Sequence, residues 1–343
     1  MQENKITDLL DCDNLSDYFL NNLSECYDNL VAVNVDSIKP IKKQVWLTTY
    51  HVVVRYNLSL IFAGGQTKQK IIYTTAHDHE ARKQVLDTLR YLVDCGFGEG
   101  KYLVPYPLFF DEQYNATFYE GVVGENLYHY IKTNDRAMIN VLVDQTARWF
   151  AHLHNIHNGV AAFYENQNRF IETVSPGYNS VLSLIEHRFP QYANKYKKIY
   201  AYFINSENKY FKTHHKLSVI HGDAHPENVI HVLPNKVAII DFVDMSIGDR
   251  ARDIGSFLQQ LDYMTTRKIG DEAYVAEVKM LFLTSYLKYA KIKQTNSLMR
   301  RIDMYYNFTA IRTASFFLLR HDSEPERAAP LIEQVCKNLD ITD

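Results

Sequence analysis

The chain has 343 residues, more than one hydrophobic core usually organises, so two lobes are the first expectation. Hydrophobic residues make up 46% and charged residues 22%, which excludes a mainly disordered chain. Its 37 Lys and Arg stand against 40 Asp and Glu, and a net charge of −3 leaves no broad basic field for a nucleic-acid backbone. No apolar run approaches the roughly 20 residues of a membrane helix. The segment Met1 to Asp13 lacks the cationic start and apolar stretch of a secretory signal. Cys12, Cys26, Cys95 and Cys336 are scattered and form no CxxC pair. A reduced, cytoplasmic protein without a nucleic-acid or membrane partner is expected.

In chain order, Asn14 or Ser16 can cap a first helix with Leu15, Phe19, Leu23, Tyr27 and Leu30 on one face. From Val31 to Tyr73 the pattern turns to strands. The run His51 to Phe62 turns at Ala63 to Gln66 and returns through Lys70 to Tyr73, a hairpin. A helix follows from about His79 to Asp94, burying Val85, Leu86, Leu89 and Leu92. The glycine-rich stretch Cys95 to Gly100 follows a helix instead of joining a strand to one, so it reads as a connection and not a phosphate loop. Strands are expected near Tyr106 to Phe110 and Ala116 to Val122. After Gly124 the chain is mostly helical, with Ile139, Leu142, Val143, Phe150 and Leu153 the buried stripe of a long helix ending near His154. One short β interruption spans Leu217 to Phe242. The architecture is α+β: a small antiparallel β lobe with a helix over residues 1–122, then a larger, mostly helical lobe over 123–343.

The β interruption holds the chemistry. Leu217–Ile220, Val229–Leu233 and Val237–Ile240 are short apolar strands, and Asp223, Asn228 and Asp241 stand at their ends. The hairpin, closed by a tight turn at Pro234 and Asn235, is expected to bring Asn228 and Asp241 to a common spot. A carboxylate and an amide carbonyl are hard oxygen ligands suited to Mg²⁺, which takes a few protein ligands plus phosphate oxygens. A second carboxylate not needed by the metal can orient and deprotonate a hydroxyl. Phosphoryl transfer asks little more of a protein than positioning and charge neutralisation. The spacing Asp-x4-Asn, an apolar strand pair, then Asp-Phe matches the catalytic and metal loops of protein kinases. Five histidines crowd this region (His214, His215, His221, His225, His231), but no HExxH spacing marks zinc.

With His221-Gly222-Asp223 in front and His225, Pro226 and Asn228 behind, the segment resembles the aminoglycoside phosphotransferase and choline-kinase group of small-molecule kinases, which have a protein-kinase-like fold. Gly248, Asp249 and Asp253 resemble that family's Gly-Asp-x-x-x-Asp segment, Tyr119 to Leu127 its hinge, and Leu153-His154 its Leu-His helix end. The resemblance covers roughly Ile72 to Phe257. It implies that Asp223 is the catalytic base, that Asn228 and Asp241 hold Mg²⁺, that His221 and His225 fix the loop by hydrogen bonds, and that Asp253 braces it from below. It also implies ATP or another nucleoside triphosphate as phosphoryl donor, with Glu120 and Val122 at the hinge, and a small-molecule hydroxyl as acceptor: an aminoglycoside, choline, a sugar or an amino alcohol.

Two features depart from that pattern. The third strand carries Tyr73 or Thr75 in the inward slot where the family has a lysine, with Lys68 and Lys70 on the opposite face. Glu80 is the candidate partner on the next helix, or a carboxylate favoured by the helix start. No glycine-rich loop joins the first two strands. A basic stretch, Ile38 to Gln44, is expected as the turn there, and Lys42 or Lys43 is the candidate to supply the missing phosphate charge. For the acceptor, Asp244, Asp249, Arg250 and Tyr305 are candidate lining, with Tyr263, Tyr286, Tyr306 and Phe316 beside them. An aromatic and acidic wall would suit a cation, whereas Arg312 and Arg320 would suit an anion. The alternative to an enzyme is a pseudokinase that binds nucleotide without turnover, favoured by the missing lysine and glycine loop.

Overall fold

A computed structural model of the protein describes residues 5–11, 15–46, 49–79, 82–156, 167–213, 217–232 and 236–341. In chain order the elements are α1 (Leu15–Leu23), β1 (Leu30–Val45), β2 (Tyr50–Phe62), β3 (Thr67–His77), α2 (Arg82–Leu92), β4 (Tyr102–Leu103), β5 (Tyr106–Asp111) and β6 (Ala116–Glu120). Then follow α3 (Leu127–Lys132), α4 (Arg136–His154), α5 (Tyr178–Arg188), α6 (Pro190–Thr213), β7 (Ser218–Ile220), β8 (Val229–Val232), β9 (Lys236–Ile239) and β10 (Ser246–Gly248). The chain ends in α7 (Ala251–Lys268), α8 (Glu272–Ala290), α9 (Asn296–Leu319) and α10 (Pro325–Asn338). It divides into two compact units, one of residues 1–125 with 230–243 and one of 126–229 with 244–343.

The first unit is built on a five-stranded antiparallel sheet in the order β1-β2-β3-β6-β5. Strand alternation sorts its residues. Val52, Val54, Tyr56, Leu58 and Leu60 of β2, Ile72 and Ala76 of β3 and Phe118 of β6 form one buried core with Phe19 and Leu23 of α1. Helix α2 packs on β5 and β6, burying the Val85, Leu86, Leu89 and Leu92 stripe that the sequence predicts. A second, small sheet runs β4-β9-β8.

One expectation needs correction here. Residues 38–44 are not a turn: β1 runs on to Val45, with Lys42 opposite Val53 and Lys43 opposite Val52. Pro40 cannot donate to a ladder. β1 is the sheet's edge, however, where proline is tolerated, and the pairing shifts register between Pro40 and Lys42.

The second unit is helical. Helix α4 packs on α8, α7 on α9, α10 on α9 and α5 on α6. Gly255 lets α7 lie close on α9, since a Cβ there would stand 2.6 Å from the Ile302 carbonyl oxygen. Strands β7 and β10 pair antiparallel, with Ile220 opposite Ser246. The sequence marks β7 through the apolar run Leu217–Ile220 but not β10, whose three residues are too few to show a period. No described helix is long and apolar enough to cross a membrane.

Candidate active site

Strand β7 delivers the chain into the loop 221–228, and that loop is held by its backbone. The N–H of His221 donates to Asp253 at 2.7 Å and that of Gly222 at 2.9 Å, one to each carboxylate oxygen. Arg252 donates to the Gly222 carbonyl at 3.4 Å, so this peptide is gripped at both ends. Gly222 has φ +87°, and a Cβ there would stand 2.4 Å from the Asp244 carbonyl oxygen, so only glycine fits.

Asp253 lies in the first turn of α7 with its side chain 1% exposed. It also meets His154 Nε2 at 3.0 Å, while His154 Nδ1 lies 2.7 Å from the Tyr286 hydroxyl. A carboxylate only accepts, so Nε2 carries the imidazole proton, and Nδ1 accepts from Tyr286. Burial holds the His154 pKa below its ordinary value, which keeps the ring neutral. Burial pulls Asp253 the other way, but its bonds from His154 and the loop amides win and keep its carboxyl below the usual range. The Asp253 brace implied by the resemblance therefore has a physical form.

Asp223 follows this gripped peptide. Its N–H donates to His221 Nδ1 at 3.3 Å, and His225 Nε2 lies 3.5 Å from its carboxylate. The side chain is 44% exposed. Partial burial pulls its pKa up, but His225, with Arg312 and His221 further off, outweighs that pull and holds it well below the usual carboxylate range. The Asp223 carbonyl accepts from Asn228 Nδ2 at 3.0 Å. That bond orients the Asn228 amide, with its nitrogen on the Asp223 carbonyl and Oδ1 as the other end. His221 is buried, its ring edge-on to Phe150.

In the first unit, Asp241 follows β9 with φ +68° and an exposed side chain. Aspartate tolerates this left-handed conformation better than most residues do. Tyr73 and Tyr119 stack at 6.1 Å between centroids, their planes 8° apart. Burial and the Asp241 charge push the Tyr119 phenol up, and Arg82 pulls against them. Arg82, 3% exposed at the start of α2, thus acts on the same phenol as Asp241. Lys70 donates to Glu120 at 2.7 Å, and the Tyr27 hydroxyl takes the other oxygen of that carboxylate. Glu120 itself pairs with Ile72 and Tyr106 in the sheet. Val122 lies half-buried just past β6. Lys42 is half-buried and Lys43 exposed on β1, and Glu80 lies outside the described residues.

Three of the four acceptor candidates are engaged within the second unit. Asp249 is buried, bonded to Arg301 Nε at 2.6 Å and to the Ala251 N–H at 3.1 Å. Arg250 donates to the His154 carbonyl and to Ser218 Oγ. Tyr305 is buried with its hydroxyl on Glu207 at 2.9 Å. Their expected place in an acceptor wall is corrected: each is held by partners within this unit, and Asp249 and Tyr305 are buried. Asp244 is half-buried and accepts from Asn168 at 2.6 Å. Sequence reasoning missed Arg82 and Asn168 altogether, and Arg252 within the very segment it singled out. Only burial marks the two arginines, and no spacing signals it.

The family model of the phosphotransferase enzyme family matches residues 44–291. Choline kinase LicA from Streptococcus pneumoniae superposes with a TM-score of 0.57 at 13% identity, over 95% of this chain and 99% of that one. Plasmodium vivax ethanolamine kinase gives 0.57 at 17% identity, over 97% and 89%. The ADP-bound aminoglycoside phosphotransferase APH(2'')-Ib gives 0.52 at 14%, over 93% and 96%. No curated protein matches the sequence. These likenesses establish the kinase-like α+β fold, and with a family match across most of the sequence, loop 221–228 and Asp241 included, the chain belongs to the phosphotransferase enzyme family.

Proposed function

We propose that the protein transfers the terminal phosphoryl group of a nucleoside triphosphate, ATP in the first instance, to a hydroxyl of a small molecule in the presence of Mg²⁺. The observation that carries this reading is the placement of Asp223. Its backbone is fixed through Gly222 by Asp253 and Arg252, while its carboxylate stays ionised and partly open. A carboxylate so far below the usual range is a weak base, so its first task is to orient the acceptor hydroxyl. It takes the proton only as the new P–O bond forms and makes that hydroxyl acidic.

By donor chemistry, Asn228 and Asp241 each suit a magnesium ion. Asn228 offers a carbonyl oxygen because its nitrogen is engaged, and Asp241 offers an exposed carboxylate. Both are hard donors. When bound, the ion would neutralise phosphate charge. Arg82 is the candidate for the positive charge that β3 does not supply, in place of Lys42 and Lys43, which sit within an edge strand. The Tyr73 and Tyr119 pair and the hinge at Glu120 and Val122 are the candidates for the nucleoside.

The engagement of Lys70 by Glu120 favours one second reading, a nucleotide-binding module without turnover. ATP consumption with Mg²⁺ across aminoglycosides, choline, sugars and amino alcohols separates the two. The expected result is acceptor-dependent turnover that falls roughly 10²–10⁴-fold in Asp223→Ala while ATP affinity is kept. ATP binding without turnover by any acceptor would favour the silent module, and no binding at millimolar ATP would defeat both.

A further inference from the structure

The second unit contains a cavity of about 380 Å³ between α5, α6 and α9, within the size range of small-molecule sites. Its walls are apolar and aromatic: Val174, Val181, Tyr200, Phe308 and Phe316. Phe308, Arg312 and Phe316 fall four residues apart along α9, on one stripe. Phe316 is 61% exposed at the mouth. Arg312 is half-buried, and its Nη2 donates to the Ser175 carbonyl at 3.1 Å. Burial pushes the Tyr200 phenol up to about 12, with the Arg312 charge opposing. Ser175, whose carbonyl holds Arg312, donates to Asn168 Oδ1 at 3.1 Å, Asn168 donates to Asp244, and the Asp244 carbonyl lies against Gly222, so hydrogen bonds join the arginine of the cavity to the loop of Asp223.

The charges around it are unequal. Among the described residues the lining includes no carboxylate and two arginines. Arg320 pairs with Glu324 at 3.3 Å, whereas Arg312 has no carboxylate at ion-pair distance among the described residues. Most acids of this unit that could have received a cationic acceptor have other work, and Asp244, half-buried, accepts from Asn168 at 2.6 Å. Asp249 holds Arg301, Asp262 holds Lys279 and Tyr306, Asp253 holds the loop, and Glu207 holds Tyr305. Aromatic walls alone could attract a cation, but a guanidinium among them repels it. A planar fork with an open carboxylate-binding edge favours an anion.

We propose that the acceptor is an anionic alcohol, with an apolar body that enters the cavity of Tyr200, Phe308 and Phe316 and a carboxylate or phosphate that pairs with Arg312. This rests on the phosphotransferase reading and adds the substrate class to it. In the step itself, the acceptor hydroxyl oxygen bonds the γ-phosphorus and the bond from that phosphorus to the β–γ bridging oxygen breaks. ADP leaves with that oxygen, and the hydroxyl proton passes to Asp223 and then to solvent.

The test is a matched ring series that varies only the charged group: para-hydroxymethylbenzoate, para-hydroxymethylphenyl phosphate, neutral para-benzenedimethanol and para-hydroxymethylbenzylamine. Steady-state turnover with Mg·ATP is read alongside calorimetric binding with ADP present. At least one anionic arm should show a KM at least about tenfold below the neutral and cationic arms, and which arm does so tells carboxylate from phosphate. Arg312→Gln should remove that preference, acting more on KM than on kcat and leaving ATP affinity in place, and Arg312→Glu should turn it toward the amine. Equal use of the amine by the wild-type protein overturns the inference. So does an Arg312→Gln variant that loses kcat with its acceptor KM unmoved, or failure of both anions to bind. In each of those cases measured ATP turnover leaves the phosphotransferase reading standing, whereas absence of ATP binding removes both.

Discussion

Replacing Asp253 by asparagine takes one negative charge and one acceptor from beneath the loop that carries Asp223. The carboxylate receives three donors: the His221 N–H and His154 Nε2 on one oxygen, and the Gly222 N–H on the other. An asparagine has one oxygen and one NH₂. Its better orientation keeps the first pair and points a donor at the Gly222 N–H. A lost charge-assisted bond is worth about 1.5–3 kcal/mol and an unsatisfied buried donor about 1–3 kcal/mol more, partly offset because no charge need then be buried. A net loss of roughly 2–4 kcal/mol follows, or a fall of roughly 5–15 °C in the melting temperature of that unit.

The same substitution should show in the chemistry. With the Gly222 peptide free to turn, Asp223 loses its fixed starting point, and a displacement of about 1 Å costs on the order of 10²-fold in rate. The expected outcome is a kcat about 10²-fold lower for Asp253→Asn, with ATP affinity within about threefold of wild type. Thermal unfolding by circular dichroism and ATP turnover on the same preparation measure both effects. A variant that melts within about 2 °C of wild type and turns over normally would refute the brace.

Two further predictions concern pH. Glu207 is 2% exposed, and burial raises its carboxyl from 4.5 to about 7. The folded state therefore holds a proton that the unfolded chain has lost between those values. The resulting penalty is absent below 4.5, grows as pH rises to 7 and is full above it, roughly 3 kcal/mol at about 1.4 kcal/mol per unit of pKa. Glu207→Gln keeps partners for the Ile171 N–H and the Tyr305 hydroxyl, so in denaturant titrations its advantage over wild type should grow across that window; a difference independent of pH would contradict the argument. His225→Gln removes the main influence lowering Asp223. The wild-type rate should show no acid limb in the folded range, while the variant should show one near or above about pH 4, the ordinary aspartate value; superimposable profiles would assign the lowering elsewhere.

The candidate site can be read in the sequence because the chemistry proposed for it demands particular residue types a few positions apart. His221, Asp223, Asn228 and Asp241 sit at the ends of short strands whose apolar runs mark them out, and Asp253 was implied only by the resemblance of Gly248, Asp249 and Asp253 to a family segment. What stayed hidden was long-range. Glu207 and Tyr305 are 98 residues apart in sequence and bonded, and nothing in either stripe names the other. Lys42 and Lys43 were misplaced because a basic stretch in an edge strand looks locally like an exposed charged turn. Arg82 reads as a surface residue of a helix start until burial is known. The hairpin of β2 and β3 and the core stripe of α2 are set by local periodicity, and both were found.

Two acids within one network show how environment divides the work. Asp253 has donors on both oxygens, no exposure to speak of, and a neutral histidine whose second nitrogen is itself occupied by Tyr286. Nothing is left on it to meet a substrate, and its ionised state is fixed by surroundings that do not change in a reaction. Asp223 has one histidine at 3.5 Å and nearly half of its side chain open. It is ionised as well, but through a partner at the rim, which leaves lone pairs free for a hydroxyl. A rigid, saturated carboxylate below an open, charged one allows the loop to be stiff where it is anchored and receptive where the phosphoryl group would be received. Exchanging the two environments would leave the same residues without either property.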